Sequence, residues 1–186
     1  MLLIASTASA IPLLPLAFFF DDPEDDRQEA ISHAGQWNTS EMATINRPGF
    51  QLSYPANWQV ATHQADYNPD KLFTIETDGQ SHIVIEIYDI TSKPLNQTMD
   101  EVMMALDGPA IETYSSSDFQ EWGGYQGIGR HLKGKILSIL PGGVRVFAAK
   151  VPEKGKGFLV TEFYMSDDLP SALPGFDLIS QTFLLK

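Results

Sequence analysis

From residue 50 onward, apolar side chains recur at every second position in one short segment after another, and this period constrains the fold most. Phe50, Leu52 and Tyr54 alternate with Gln51 and Ser53, and Pro55 closes the run before Trp58. Ile83, Ile85 and Ile87 point one way while His82, Val84, Glu86 and Tyr88 point the other. Leu159, Thr161, Phe163 and Met165 oppose Phe158, Val160, Glu162 and Tyr164 in the same manner. A period of two marks strands with one face on a core. Further strands are predicted from Trp58 to Val60, over 72–77 and 111–119, from Ile128 to about Ile139 and over 144–150. Asp66-Tyr67-Asn68-Pro69-Asp70, Asp78-Gly79 and Pro141-Gly142-Gly143 read as turns, and 153–157 as a Lys/Gly loop. Gly127 and Gly129 share a strand face, which implies close approach of another element or a bulge.

Two segments change period. Thr98-Met99-Asp100-Glu101 has the spacing of a capping box, and Met99, Val102, Met103 and Leu106 follow at helical intervals until Gly108-Pro109. Pro170–Ser180 predicts a closing helix that buries Leu173, Phe176 and Ile179. Short connections between strands imply a mainly antiparallel sheet, and helices on its faces imply a layered α+β fold.

The first twenty residues, MLLIASTASAIPLLPLAFFF, carry no charged side chain. As a helix they would span roughly 30 Å, a bilayer core. Pro12 and Pro15 interrupt the run and no basic residue precedes it. The segment is read as an export signal or membrane anchor, with an apolar arm packed on the domain or on a partner as the alternative. An acidic block, Asp21 to Asp26, and a polar stretch to residue 47 follow as a linker. Residues 48–186 then form one domain.

Composition removes several chemistries. The chain has no cysteine, hence no disulfide, thiolate site or Cys nucleophile. A net charge of −12 argues against nucleic-acid binding. His33, His63, His82 and His131 form no metal-ligand spacing, and His82 and Glu86 lie about 13 Å apart along their strand. There is no G-x-S-x-G elbow, and the glycines at 123, 124, 127 and 129 are not followed by the Lys-Ser/Thr of a phosphate loop. The expectation is a protein that is not an enzyme, with no cofactor and no metal.

Two features are candidates for binding. Between Arg130 and Lys156 seven Lys/Arg face a single acid, Glu153. That stretch is either a solvated hairpin face or a patch for an anionic partner or membrane surface, with Lys133, Lys135, Lys154 and Lys156 as its contacts. Trp122 and Tyr125 flank Gly123-Gly124. They either stand on an exposed loop as anchors or fold back over the sheet edge.

The order of these elements resembles the PsbP-like superfamily, which includes the Ran-binding Mog-type proteins and bacterial extracytoplasmic and chaperone families. The residues that carry the likeness run from Gly49 to Trp58, then the Ile83–Ile87 strand, the helix from Thr98, the Gly127/Gly129 strand, the hairpin to about 165 and the closing Phe176–Phe183 segment. The resemblance covers roughly residues 48–186. It implies an antiparallel sheet flanked by helices in an α-β-α sandwich, and no single activity. The expected function is a non-catalytic, extracytoplasmic binding or assembly-assisting module with a protein partner. A cytoplasmic chaperone that shields an apolar client segment is the alternative, and a small apolar-ligand carrier is a third reading.

Overall fold

The computed structural model describes residues 41–63, 65, 67–106 and 110–186. The apolar leader, the acidic block, Asp66 of the first turn cluster and the Gly108-Pro109 stop lie outside the described residues. In chain order the elements are β1 (Met42–Asn46), β2 (Phe50–Pro55), β3 (Gln59–Val60), β4 (Leu72–Glu76), β5 (His82–Asp89), α1 (Leu95–Leu106), β6 (Ile111–Trp122) and β7 (Tyr125–Ile136). Then come β8 (Leu140–Val151), a 3-10 turn (Pro152–Lys154), β9 (Lys156–Met165), α2 (Leu169–Thr182) and β10 (Leu184–Leu185).

Seven strands form one sheet in the order β3-β4-β5-β9-β8-β7-β6, and β1-β2-β10 form a second. Every pairing among the described strands is antiparallel. One face of the large sheet packs on α1. There Met99, Val102, Met103 and Leu106 meet Ile111, Leu132, Val144 and Val146. The opposite face packs on α2 and the small sheet, where Phe176 and Ile179 of α2 and Phe50 and Leu52 of β2 join Ile83, Ile85, Phe147 and Phe158. Each such side chain contributes about 1.5–3 kcal/mol on burial. The result is an α-β-α sandwich with an α+β composition.

Several boundaries differ from the sequence reading. The stretch read as linker to residue 47 contains β1, which runs in register with β2 from Met42–Pro55 to Asn46–Gln51. Only Ala43 and Ile45 give β1 an inward parity, too little apolar content to register as a strand. α1 starts one turn before Thr98, so no capping box forms. The Thr98 hydroxyl instead donates back to the Pro94 carbonyl, and Glu101 pairs with Lys93. Pro141-Gly142-Gly143 lies within β8, and the chain turns at Leu137-Ser138, both at positive φ (50° and 62°). Glycine is required at 143 for another reason: a Cβ there would strike the Tyr164 hydroxyl and the Leu132 carbonyl. Leu173 is exposed, while Phe176 and Ile179 are buried as expected.

Candidate interaction surface

Trp122 ends β6 and is only 4 % exposed. Gly123 and Gly124, at φ of 58° and 81°, close a tight hairpin of the kind that needs left-handed backbone at both central positions. The turn is tucked against α2, since a Cβ on Gly123 would collide with the Ser180 carbonyl. The Trp122 ring packs edge-on against Phe183 at 5.4 Å and lies near Phe158 and Phe147. Tyr125 packs on Phe158 at 5.0 Å, and its hydroxyl accepts from the Leu185 amide at 2.9 Å. The placement on an exposed loop is therefore corrected. The pair folds back over the sheet and holds β10 and α2 against it.

Trp122 also reveals a group that the sequence reading passed over. Its indole Nε1 donates to the Glu162 carboxylate at 2.9 Å. Glu162 is 2 % exposed, and the Arg145 guanidinium, partly open to solvent, donates to its other oxygen at 2.9 Å. Burial pushes the Glu162 carboxyl up, while Arg145 and Trp122 pull it back. Arg145 in turn lies over the Phe119 ring at 5.1 Å. Next to this group, His131 Nε2 and the Tyr164 hydroxyl are 2.7 Å apart. Burial first, then Arg145 and Lys133, lower His131 to about 4, so it is neutral at pH 7. The signal was present in the sequence: Glu162 is a carboxylate on the inward parity of β9, between Val160 and Tyr164.

The basic stretch does not form one patch. Lys133 and Lys135 of β7 pair with Gly143 and Pro141, whereas Lys156 pairs with Val151. Eight to ten strand residues separate these points on β8, about 26–33 Å. At the far end Lys156 is engaged by Asp89, which also meets Lys71, and Lys154 sits exposed on the 3-10 turn. Arg130 pairs with Asp118, Arg145 with Glu162, and the Lys150 ammonium is spent on the carbonyls of Thr91 and Lys93. Lys133 and Lys135 are left without an ion pair among the described residues.

These two lysines stand on the same face as His131 and Arg145, at the end of the sheet where β6 is exposed from Tyr114 to Asp118. Lys135 reaches over the Tyr114 ring at 5.9 Å, and hydrogen bonding to Tyr114 followed by the Glu112 charge holds its ammonium above the ordinary range. Ser115 and Ser117, opposite Lys133 and His131, are short enough to leave both reachable from the sheet edge. That edge is a twelve-residue strand, against two residues at the β3 edge, and register shifts interrupt it at Thr113/Ser115 and Phe119/Glu121. Among the described residues no group of three or more His, Asp or Glu is placed to hold a metal.

A seven-stranded antiparallel sheet between one helix and a helix with a small sheet has the PsbP-like fold. Solved structures share it at low sequence identity. The solution structure of cyanobacterial PsbP (CyanoP) from Synechocystis sp. PCC 6803 superposes with a TM-score of 0.52 and 15% identity, covering 83% of this chain and 96% of that one. LpqN of Mycobacterium tuberculosis, involved in cell envelope biogenesis, gives 0.53 and 12% identity over 78% of this chain and 91% of its own. The Saccharomyces cerevisiae Ran-binding protein Mog1p reaches 0.48 at 8% identity, over 78% of this chain and 95% of that one. No family profile and no curated protein sequence matches the chain. The likeness is one of fold.

Proposed function

We propose that this chain is a non-catalytic binding or assembly-assisting module that docks an acidic protein surface on the β6–β8 end of its large sheet. The observation that carries the reading is the pair Lys133 and Lys135, cations without an ion pair among the described residues, beside an exposed, hydroxyl-rich edge strand. Such an edge offers backbone hydrogen bonds to an added strand, and the lysines select its charge. Lys154 and Lys156, at the opposite end, play no part in that contact.

The test is capture from the native host with the full chain as bait. Lys133→Gln with Lys135→Gln is expected to weaken retention of the captured partner about tenfold, as is raised salt, because exposed charge pairs are screened. Lys154→Gln leaves retention unchanged. Equal retention by the double variant rules out this surface.

We further propose that the module acts outside the cytoplasm. The uncharged first twenty residues support this, as does the involvement of LpqN, which shares the fold, in cell envelope biogenesis. Among the described residues no helix is long and apolar enough to cross a membrane. Mass spectrometry of the native protein is expected to find either a mature N-terminus beyond residue 20 in the exported fraction or the intact chain in membranes. An intact chain in the cytosol would favour the chaperone reading instead.

A further inference from the structure

The two sheets part company at one margin of the core. β3, two residues long, ends the large sheet, and β1 ends the small one. No described strand extends either sheet past this margin. Ile45, Tyr54, Val60 and Tyr67 are consequently half-buried, packed against the core but not covered. With Phe73 as a floor they line an open cleft of about 500 Å³. That volume lies in the range of sites that hold small organic ligands.

Thr44, Asn46 and Thr62 supply neutral polar groups to the cleft, and Arg47 is the one charged residue among its described lining. None of its described lining residues is acidic. Arg47 stands at the rim, exposed and without an ion pair among the described residues. The Lys186 ammonium binds the Asn46 side-chain oxygen and the Arg47 carbonyl, which fixes this corner of β1 and brings a second cation to it. Aromatic and branched side chains in one cleft with a guanidinium suit an apolar tail that ends in an anion.

We infer that this cleft binds a single-chain carboxylate, such as a medium-chain fatty acid, with its tail on Tyr54, Tyr67 and Phe73 and its acid on Arg47. A larger anionic headgroup would also meet Arg47, but the open volume suits one chain and not two. The inference is independent of the partner-docking reading, because the cleft and Lys133/Lys135 lie at opposite ends of the strand order. Either can fail alone.

The experiment is calorimetric titration of the full chain with octanoate, decanoate and dodecanoate below their micelle concentrations, and with dodecanol. Affinity for the acids is expected to rise about two- to fourfold per methylene, the ceiling being the value of a fully buried methylene. Arg47→Gln, an exposed and structurally mild change, should weaken dodecanoate about tenfold and leave dodecanol unaffected. Absence of binding by all three acids overturns the proposal. So does dodecanoate binding that Arg47→Gln leaves intact, since that adsorption belongs to another part of the chain.

Discussion

Trp122→Ala is expected to lower the unfolding free energy by about 3–5 kcal/mol and the thermal midpoint by roughly 10–15 °C. Three losses add up at this position. The ring leaves a void between Phe147, Phe158 and Phe183, all of which are buried. The Glu162 carboxylate loses the indole donor while staying out of water. The hairpin at Gly123-Gly124 loses its fixed point against α2. Denaturant unfolding followed by circular dichroism measures the sum. An exposed aromatic anchor would behave otherwise, with stability changed by no more than about 0.5 kcal/mol. The size of the effect therefore separates the two roles that the sequence left open. Trp122→Phe retains most of the packing but, like Trp122→Ala, lacks the indole donor, so its cost relative to the parent reports the hydrogen bond to Glu162 and the difference between the two variants reports the packing.

The same residue shows where the sequence was readable and where it was not. β5, β9 and α1 were legible because each is a single element with one apolar parity that packs on one core. Ile83, Ile85 and Ile87 are buried in alternation, and Met99, Val102, Met103 and Leu106 share one helix stripe, as their spacing implied. Trp122 belongs to no such pattern. Its environment is assembled from β8, β9 and the residue after α2, which are distant in the chain, and periodicity carries no information about which strand end meets which helix. The turn between β7 and β8 failed for a related reason. Pro141-Gly142-Gly143 has turn chemistry, yet its glycines are there to admit Tyr164, a neighbour visible only once β8 and β9 are paired. Leu137 and Ser138 accept the positive φ instead, against their local preference.

The candidate surface was half legible. The excess of Lys/Arg over 130–156 is a fact of the sequence, and it located Lys133 and Lys135 correctly on one strand. Its extent as one patch was an artefact of reading along the chain. A strand carries its two ends tens of ångströms apart, so residues joined by a hairpin sequence need not share a surface. Three of the seven Lys/Arg are then taken up in local pairs with Asp118, Glu162 and Asp89. What survives is smaller and more specific than the count suggested.

Arg145→Met is the second change expected to have a large effect, and its dependence on pH identifies the cause. Glu162 is buried and Arg145 is its one charged partner by ion pair among the described residues. Removing the guanidinium leaves a carboxylate out of water with only the indole to compensate, at a cost of about 3 kcal/mol at pH 7.5. Burial already raises the Glu162 carboxyl above its ordinary value, and loss of Arg145 raises it further. A carboxyl that titrates higher in the folded than in the unfolded chain contributes stability below its unfolded value. That contribution disappears as the pH rises through the folded value. The penalty of Arg145→Met relative to the parent is therefore expected to be smaller at pH 5 than at pH 7.5, because lowering the pH favours the uncharged carboxyl that needs no guanidinium. Glu162→Gln in the same background should recover most of the loss at pH 7.5, because the amide oxygen still accepts from Trp122 and carries no charge. Denaturant titrations of the three chains at both pH values measure this directly. An equal penalty at both pH values, with no recovery from Glu162→Gln, would assign the cost to lost packing of Arg145 on Phe119 instead of to the uncompensated charge.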